Sequence, residues 1–83
     1  MEGTIHSMNP RRGMVAVETV ENFSIFELLQ DDQFEIGDKV VWTKTRPMGH
    51  GEITNLTRKK TTTVYFQNHW VTPQQLSKQL LIQ

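Results

Sequence analysis

Gly3-Thr4-Ile5-His6-Ser7-Met8-Asn9-Pro10-Arg11-Arg12-Gly13-Met14-Val15-Ala16-Val17-Glu18-Thr19-Val20-Glu21-Asn22-Phe23-Ser24-Ile25-Phe26-Glu27-Leu28-Leu29 is the stretch whose reading decides the fold. Large apolar residues recur at every second position within each run: Val15 and Val17, then Phe23 and Ile25. Period two is the mark of a half-buried strand, because successive side chains point to opposite faces. Asn9-Pro10-Arg11-Arg12-Gly13 supplies a first turn, in which Pro fixes φ and Gly permits φ > 0. Val20-Glu21-Asn22 supplies a second. The spacing predicts a three-stranded antiparallel meander with Ile5, Val15, Val17, Phe23 and Ile25 inward. His6, Met14, Ala16, Ser24 and Phe26 then point outward. In a chain this short such a meander curls into a small barrel.

Outward from this stretch, the remaining pattern extends the same architecture. Phe34 and Ile36, set among acids, read as plugs for one barrel end after a polar break over 30–33. Gly37-Asp38 opens a fourth strand in which Val40 and Trp42 share a face. A Pro/Gly-rich loop over 45–51 leads to a fifth strand around Ile53 and a basic turn. Thr61-Thr62-Thr63-Val64-Tyr65-Phe66 is β-branched and aromatic, so it reads as a sixth strand, ended by Gln67-Asn68-His69. Thr72-Pro73-Gln74-Gln75 has the form of a capping box with Pro at the first helical position. The helix it opens carries Leu76, Leu80 and Leu81 toward the barrel.

Composition sets outer limits. The 83 residues make one domain, 1–83, and the absence of cysteine removes disulfides and thiolate metal sites. No apolar run approaches the roughly 20 residues that span a bilayer, and the opening residues do not read as a signal peptide. A cytoplasmic protein without membrane association is expected. The formal net charge of zero hides a separation. Residues 1–38 carry eight acids against Arg11 and Arg12, a net of −6, while residues 39–83 carry seven bases against Glu52, a net of +6. His6, His50 and His69 are too scattered for a metal motif, and no nucleophile-base-acid signature is present, so no metal, cofactor, small-molecule substrate or catalysis is expected. Trp42, Tyr65, Phe66 and Trp70 read first as core or helix-docking residues.

Residues 3–57 resemble the cold-shock domains of bacteria, whose opening runs G-x-V-K-W-F-N-x-x-K-G-F-G-F-I. Gly3-Thr4-Ile5-His6-Ser7-Met8-Asn9-Pro10-Arg11-Arg12-Gly13 follows that pattern. Phe23-Ser24-Ile25-Phe26 stands where the family has V-F-V-H, and Phe34-Glu35-Ile36-Gly37-Asp38-Lys39-Val40 where it has L-x-x-G-Q-x-V. Gly51-Glu52-Ile53-Thr54-Asn55-Leu56-Thr57 looks like the family's closing strand. The resemblance implies an OB-fold, with residues 58–83 as an added C-terminal strand and short helix. An SH3-like barrel is the alternative, on the rhythm of Gly37-Asp38-Lys39-Val40, Gly51-Glu52-Ile53 and Thr63-Val64-Tyr65-Phe66.

The resemblance also implies binding to single-stranded DNA or RNA, but Ser7, Met8, Met14, Ala16, Ser24 and Glu27 occupy positions where the family places stacking aromatics. Stacking contributes about 1–3 kcal/mol per base, so losing several platforms removes much of the affinity. What remains is Phe26 with the basic residues Arg11, Arg12, Lys44, Arg46, Arg58, Lys59 and Lys60, each able to meet phosphate. The expected function is weak or specialised nucleic-acid binding through basic loops. The alternative is a protein-interaction or self-association module using an outward face of His6, Met14, Ala16 and Ser24.

Overall fold

A computed structural model describes residues 1–30 and 34–81; of the polar break expected over 30–33, residues 31–33 lie outside the described residues. Six strands, β1 (Glu2–Asn9), β2 (Met14–Thr19), β3 (Asn22–Leu28), β4 (Lys39–Val41), β5 (Gly49–Asn55) and β6 (Lys60–Val71), close into an antiparallel barrel. Their order around the wall is β1-β2-β3-β6-β5-β4. A 3₁₀ turn at Pro73–Gln75 then runs into α1 (Leu76–Gln79). The small all-β, OB-like barrel with an extra strand and a C-terminal helix is therefore observed. The sixth strand is no appendage: it lies between β3 and β5 and is the longest of the six.

The β2–β3 turn differs from expectation, with consequences for every residue around it. It has two residues, Val20 and Glu21, because Thr19 pairs with Asn22. That register sets Val17 opposite Ser24 and Val15 opposite Phe26. Residues directly opposite share a face, and a one-residue slip exchanges the faces. With Val15 and Val17 inside, Phe26 and Ser24 must also turn inward, whereas the three-residue turn read from the sequence puts Phe23 and Ile25 there. The β3 phase is thus the reverse of the expected one.

Two cores follow. Inside the barrel Ile5, Val15, Val17, Phe26, Phe34, Val40, Trp42, Ile53, Val64 and Phe66 pack together. Phe26 is fully buried, its ring 5.6 Å from Phe34 and 6.0 Å from Phe66. Outside the wall, Met14, Ala16, Phe23 and Ile25 form a second core with Val71 and Leu80, against which Leu76 also packs. The helix covers the face of the β2–β3 hairpin, held partly by the Gln75 side chain accepting from the Thr72 amide and by Asn9 donating to the Leu80 carbonyl. Leu81, expected on the docking stripe, is exposed at φ 62. Phe34 plugs the barrel as expected, while Ile36 is exposed.

β6 runs through the Gln67-Asn68-His69 segment expected to be a turn. Its register against β3 slips twice, between Phe23 and Ile25 and between Ile25 and Phe26. These bulges absorb the polar residues within the strand, and Trp70 emerges at φ 57. Phe26→Ala should lower the free energy of unfolding by about 3–5 kcal/mol, and Leu80→Ala by about 2–5 kcal/mol, in urea titrations followed by circular dichroism. A Phe26→Ala protein as stable as wild type would contradict the inward phase of β3.

Candidate nucleic-acid interface

Because neighbouring strands alternate in direction, the connections alternate between the two barrel ends. The β1–β2 turn, residues 29–30 and 34–38 and the β5–β6 turn share one end; the β2–β3 turn, residues 42–48 and the exit of β6 at Val71 share the other. The basic residues are therefore divided. Arg11, Arg12, Arg58, Lys59 and Lys60 belong to the first end, Lys44 and Arg46 to the second.

At the first end Arg58 is committed to structure. Its Nε donates to buried Asp38 at 3.0 Å and its guanidinium also pairs with Glu35. The same Asp38 Oδ2 accepts from the Asn55 amide at 2.7 Å and from the Glu35 backbone at 3.0 Å. Asn55 in turn accepts from the Arg58 backbone. Burying Asp38 and Asn55 is tolerable because these groups satisfy one another, and the network ties residues 35–38 to the β5–β6 turn. Lys60 is engaged within the protein, Lys59 is exposed at φ 58, and Arg11 and Arg12 are exposed without an ion pair among the described residues. Part of the charge separation in the sequence is thus neutralised by interleaving.

Three of the residues expected on an interaction face are buried. Met14 and Ala16 face outward from the barrel but lie beneath Val71 and Leu80, and Ser24 points in toward His69. Phe26, expected to stack on a base, is in the central core. The reason is again the β2–β3 register together with the helix that covers the hairpin. His6 does lie exposed, its ring edge-on to Phe23 at 4.9 Å.

The second end and the adjoining wall carry what the first lacks. Strand pairing sets His50 opposite Tyr65 and Glu52 opposite Thr63 on the outer face of β5 and β6. The His50 and Tyr65 rings meet edge-on at 5.0 Å. Residues 46–48 continue back alongside β6: Pro47 meets His69, and Arg46 lies over Trp70 with its guanidinium carbon 4.1 Å from the ring centroid. Trp70 is 55% exposed and Tyr65 38% exposed. Arg46 also approaches Glu21 at 3.3 Å, while Lys44 is exposed with no ion pair among the described residues. Met48 adds an exposed apolar side chain beside them.

His69 fixes the loop that carries the cations. Its Nε2 donates to the Pro47 carbonyl at 2.6 Å, so in the neutral ring Nδ1 accepts from the Ser24 hydroxyl at 2.8 Å. The ring also stacks on Phe66. Trp70 and Tyr65, expected in the core or against the helix, are instead exposed. The alternation of Val64, Tyr65 and Phe66 was a signal that Tyr65 faces away from its neighbours; the bulged register that turns Trp70 outward has no comparable signature.

No group of three metal-binding side chains occurs among the described residues, and no helix among them is long and apolar enough to cross a membrane. Comparison of the chain with protein-family models, curated proteins and solved structures finds no match. Asp38→Ala should lower stability by about 3 kcal/mol, because it leaves the Asn55 amide and the Arg58 guanidinium without their buried partner. Arg11→Ala should change it by no more than about 0.5 kcal/mol. Paired urea titrations check both.

Proposed function

We propose that this barrel binds single-stranded nucleic acid, and that the strand lies across the outer face of β5 and β6 rather than on the β2–β3 hairpin. The reading rests chiefly on exposed Trp70 with the Arg46 guanidinium over its ring. An aromatic platform beside a cation is what a single strand uses, because every base has a face to stack and every nucleotide a phosphate to neutralise. Tyr65 offers a second platform on the same face, and Lys44 a second cation on the loop that His69 anchors. The ligand class is the one the cold-shock resemblance implies, moved to a different face of the barrel. Of the interaction face expected at His6, Met14, Ala16 and Ser24, the last three are buried and His6 alone is exposed, which favours the nucleic-acid reading over a protein-interaction module.

Binding on this surface is weak, because few cations take part. Two phosphate contacts, by Lys44 and Arg46, give a slope of log affinity against log salt near −1.4, so a fourfold rise in salt lowers affinity about sevenfold. Trp70→Ala should lower affinity by about 1–3 kcal/mol, roughly 5- to 150-fold, and leave stability nearly unchanged. Substituting Arg11 and Arg12 together should leave affinity unaltered. Titration of a labelled oligonucleotide, DNA and RNA in parallel, at two salt concentrations checks all three. Absence of binding by either polymer at low salt would remove the nucleic-acid reading.

A further inference from the structure

β4 and β5 do not stay paired along their length. Val41 pairs with Thr54 and the Leu56 amide donates to the Lys39 carbonyl, so Thr54 and Leu56 turn their main-chain groups toward β4. Hydrogen-bonding direction alternates along a strand, so His50 and Glu52 point theirs the same way. Thr43 and Thr45 would be their partners in a continued ladder, but β4 ends at Val41. Trp42 bonds to Met1 on the other side, through Trp42 N–H to the Met1 carbonyl and the Met1 ammonium to the Trp42 carbonyl. The barrel wall is unzipped at this seam. Among the described residues no hydrogen bond reaches the main chain of His50 or Glu52 from that side.

The seam opens into a cleft of about 290 Å³. Buried Phe66 and Trp42 form its apolar base, and exposed Lys44, Met48, His50 and Glu52 stand around its mouth. Gly51 keeps it open at the center: a Cβ there would lie 3.1 Å from the Phe66 ring. The cleft belongs to the same loop, 42–48, whose other flank carries Arg46 over Trp70.

We propose that this seam is a base-binding slot, in which one nucleobase of a bound single strand enters edge-first. Its ring meets Phe66 and Trp42, and its polar edge meets the free main-chain donors and acceptors of His50 and Glu52. Three observations favour a base over a peptide strand. The free edge is only His50 to Glu52, about 7 Å at strand rise, too short for a ladder of useful length. The volume is just under the range of about 300–1,000 Å³ typical of ligand pockets, which suits one ring system. Lys44 at the mouth supplies the charge that a flanking phosphate requires. The Glu52 carboxylate only accepts hydrogen bonds, so where it meets the exocyclic 4-position it favours the amino group of cytosine over the carbonyl of uracil or thymine.

This slot deepens the proposed function and rests on it, but the two are separable by experiment. In amide-resolved NMR titrations, cytidine 5′-monophosphate should shift the His50 and Glu52 amides and the Trp42 indole N–H. It should bind at least about tenfold more tightly than uridine 5′-monophosphate, the discrimination expected of a hydrogen bond to a charged group. Glu52→Gln, an exposed substitution that leaves the fold intact, should erase that preference because an amide both donates and accepts. Lys44→Ala should weaken both nucleotides alike. An oligonucleotide that shifts Trp70 and Tyr65 but never the His50 and Glu52 amides would overturn the slot and leave the surface reading standing. Equal binding of the two nucleotides in the wild-type protein would also overturn it. So would shifts of these amides by an extended Thr-Val repeat peptide and not by either nucleotide. If no oligonucleotide binds at all, the surface reading falls, and with it the slot as part of a strand-binding face.

Discussion

The two-residue turn between β2 and β3 is the constraint on which the rest of this molecule depends. Pairing Thr19 with Asn22 makes Val15 and Phe26 neighbours and likewise Val17 and Ser24. Phe26 then occupies the barrel centre with Phe34 and Phe66 around it. Phe23 and Ile25 are left on the outer side of the wall, an apolar face that water would not tolerate bare. The chain covers it with its own C-terminal segment, through Val71, Leu76 and Leu80. A short helix that would be marginal alone thereby has a reason to form. The covering also takes the hairpin face out of solvent. The hairpin face that a cold-shock-like protein would offer to nucleic acid is occupied from within.

What the sequence made legible was the period, and what it hid was the parity. Alternation in β1, β2 and β6 is plain, and strand content and the inward set of Ile5, Val15 and Val17 follow from it, while the C-terminal helix follows from its capping box and leucines. Whether a hairpin turn holds two residues or three is decided by backbone geometry at Val20, Glu21 and Asn22, and none of them is a strong turn former like Asn-Gly. One residue of difference inverts a whole strand. The same ambiguity, twice over, sits in β6. Gln67-Asn68-His69 is polar enough to read as a turn, yet two bulges accommodate it within a continuous strand. The exposure of Trp70 depends on those bulges, so the residue central to the candidate surface was the one least visible in the pattern.

The charged residues show a related limit. Sequence separates the molecule into an acidic half and a basic half, but the fold brings the halves together. Arg58 meets Asp38 and Glu35, and Arg46 meets Glu21. The two contacts differ in kind. Asp38 is buried and wholly committed to Asn55, Arg58 and the Glu35 backbone, so that Arg58 cannot leave without stranding them. Glu21 and Arg46 are both substantially exposed, and a solvent-exposed pair contributes about 0–1 kcal/mol. Arg46 is therefore exchangeable: a phosphate can replace Glu21 at little cost, and the guanidinium already lies over an aromatic ring. A count of bases along the chain cannot distinguish these two arginines. Only the burial of their partners does.

This difference gives the two ends of the barrel distinct work. At one end Asp38, Asn55 and Arg58 lock the loop of 35–38 to the β5–β6 turn, where Phe34 closes the core. At the other, the loop of 42–48 is held by His69 at the Pro47 carbonyl, by the Trp42 indole at the Thr45 carbonyl and by Met1 at the Trp42 backbone, and beyond Val41 it has already parted from β5. A barrel closed by hydrogen bonds all round has no main-chain groups to offer a ligand. Beside that loop the β4–β5 ladder stays open, and there the main-chain groups of His50 and Glu52 adjoin exposed Trp70 and Tyr65 and the cations Lys44 and Arg46. The open seam and the exposed aromatic-cation surface thus lie on the two flanks of one loop, and anchoring of that loop by His69 holds them in register.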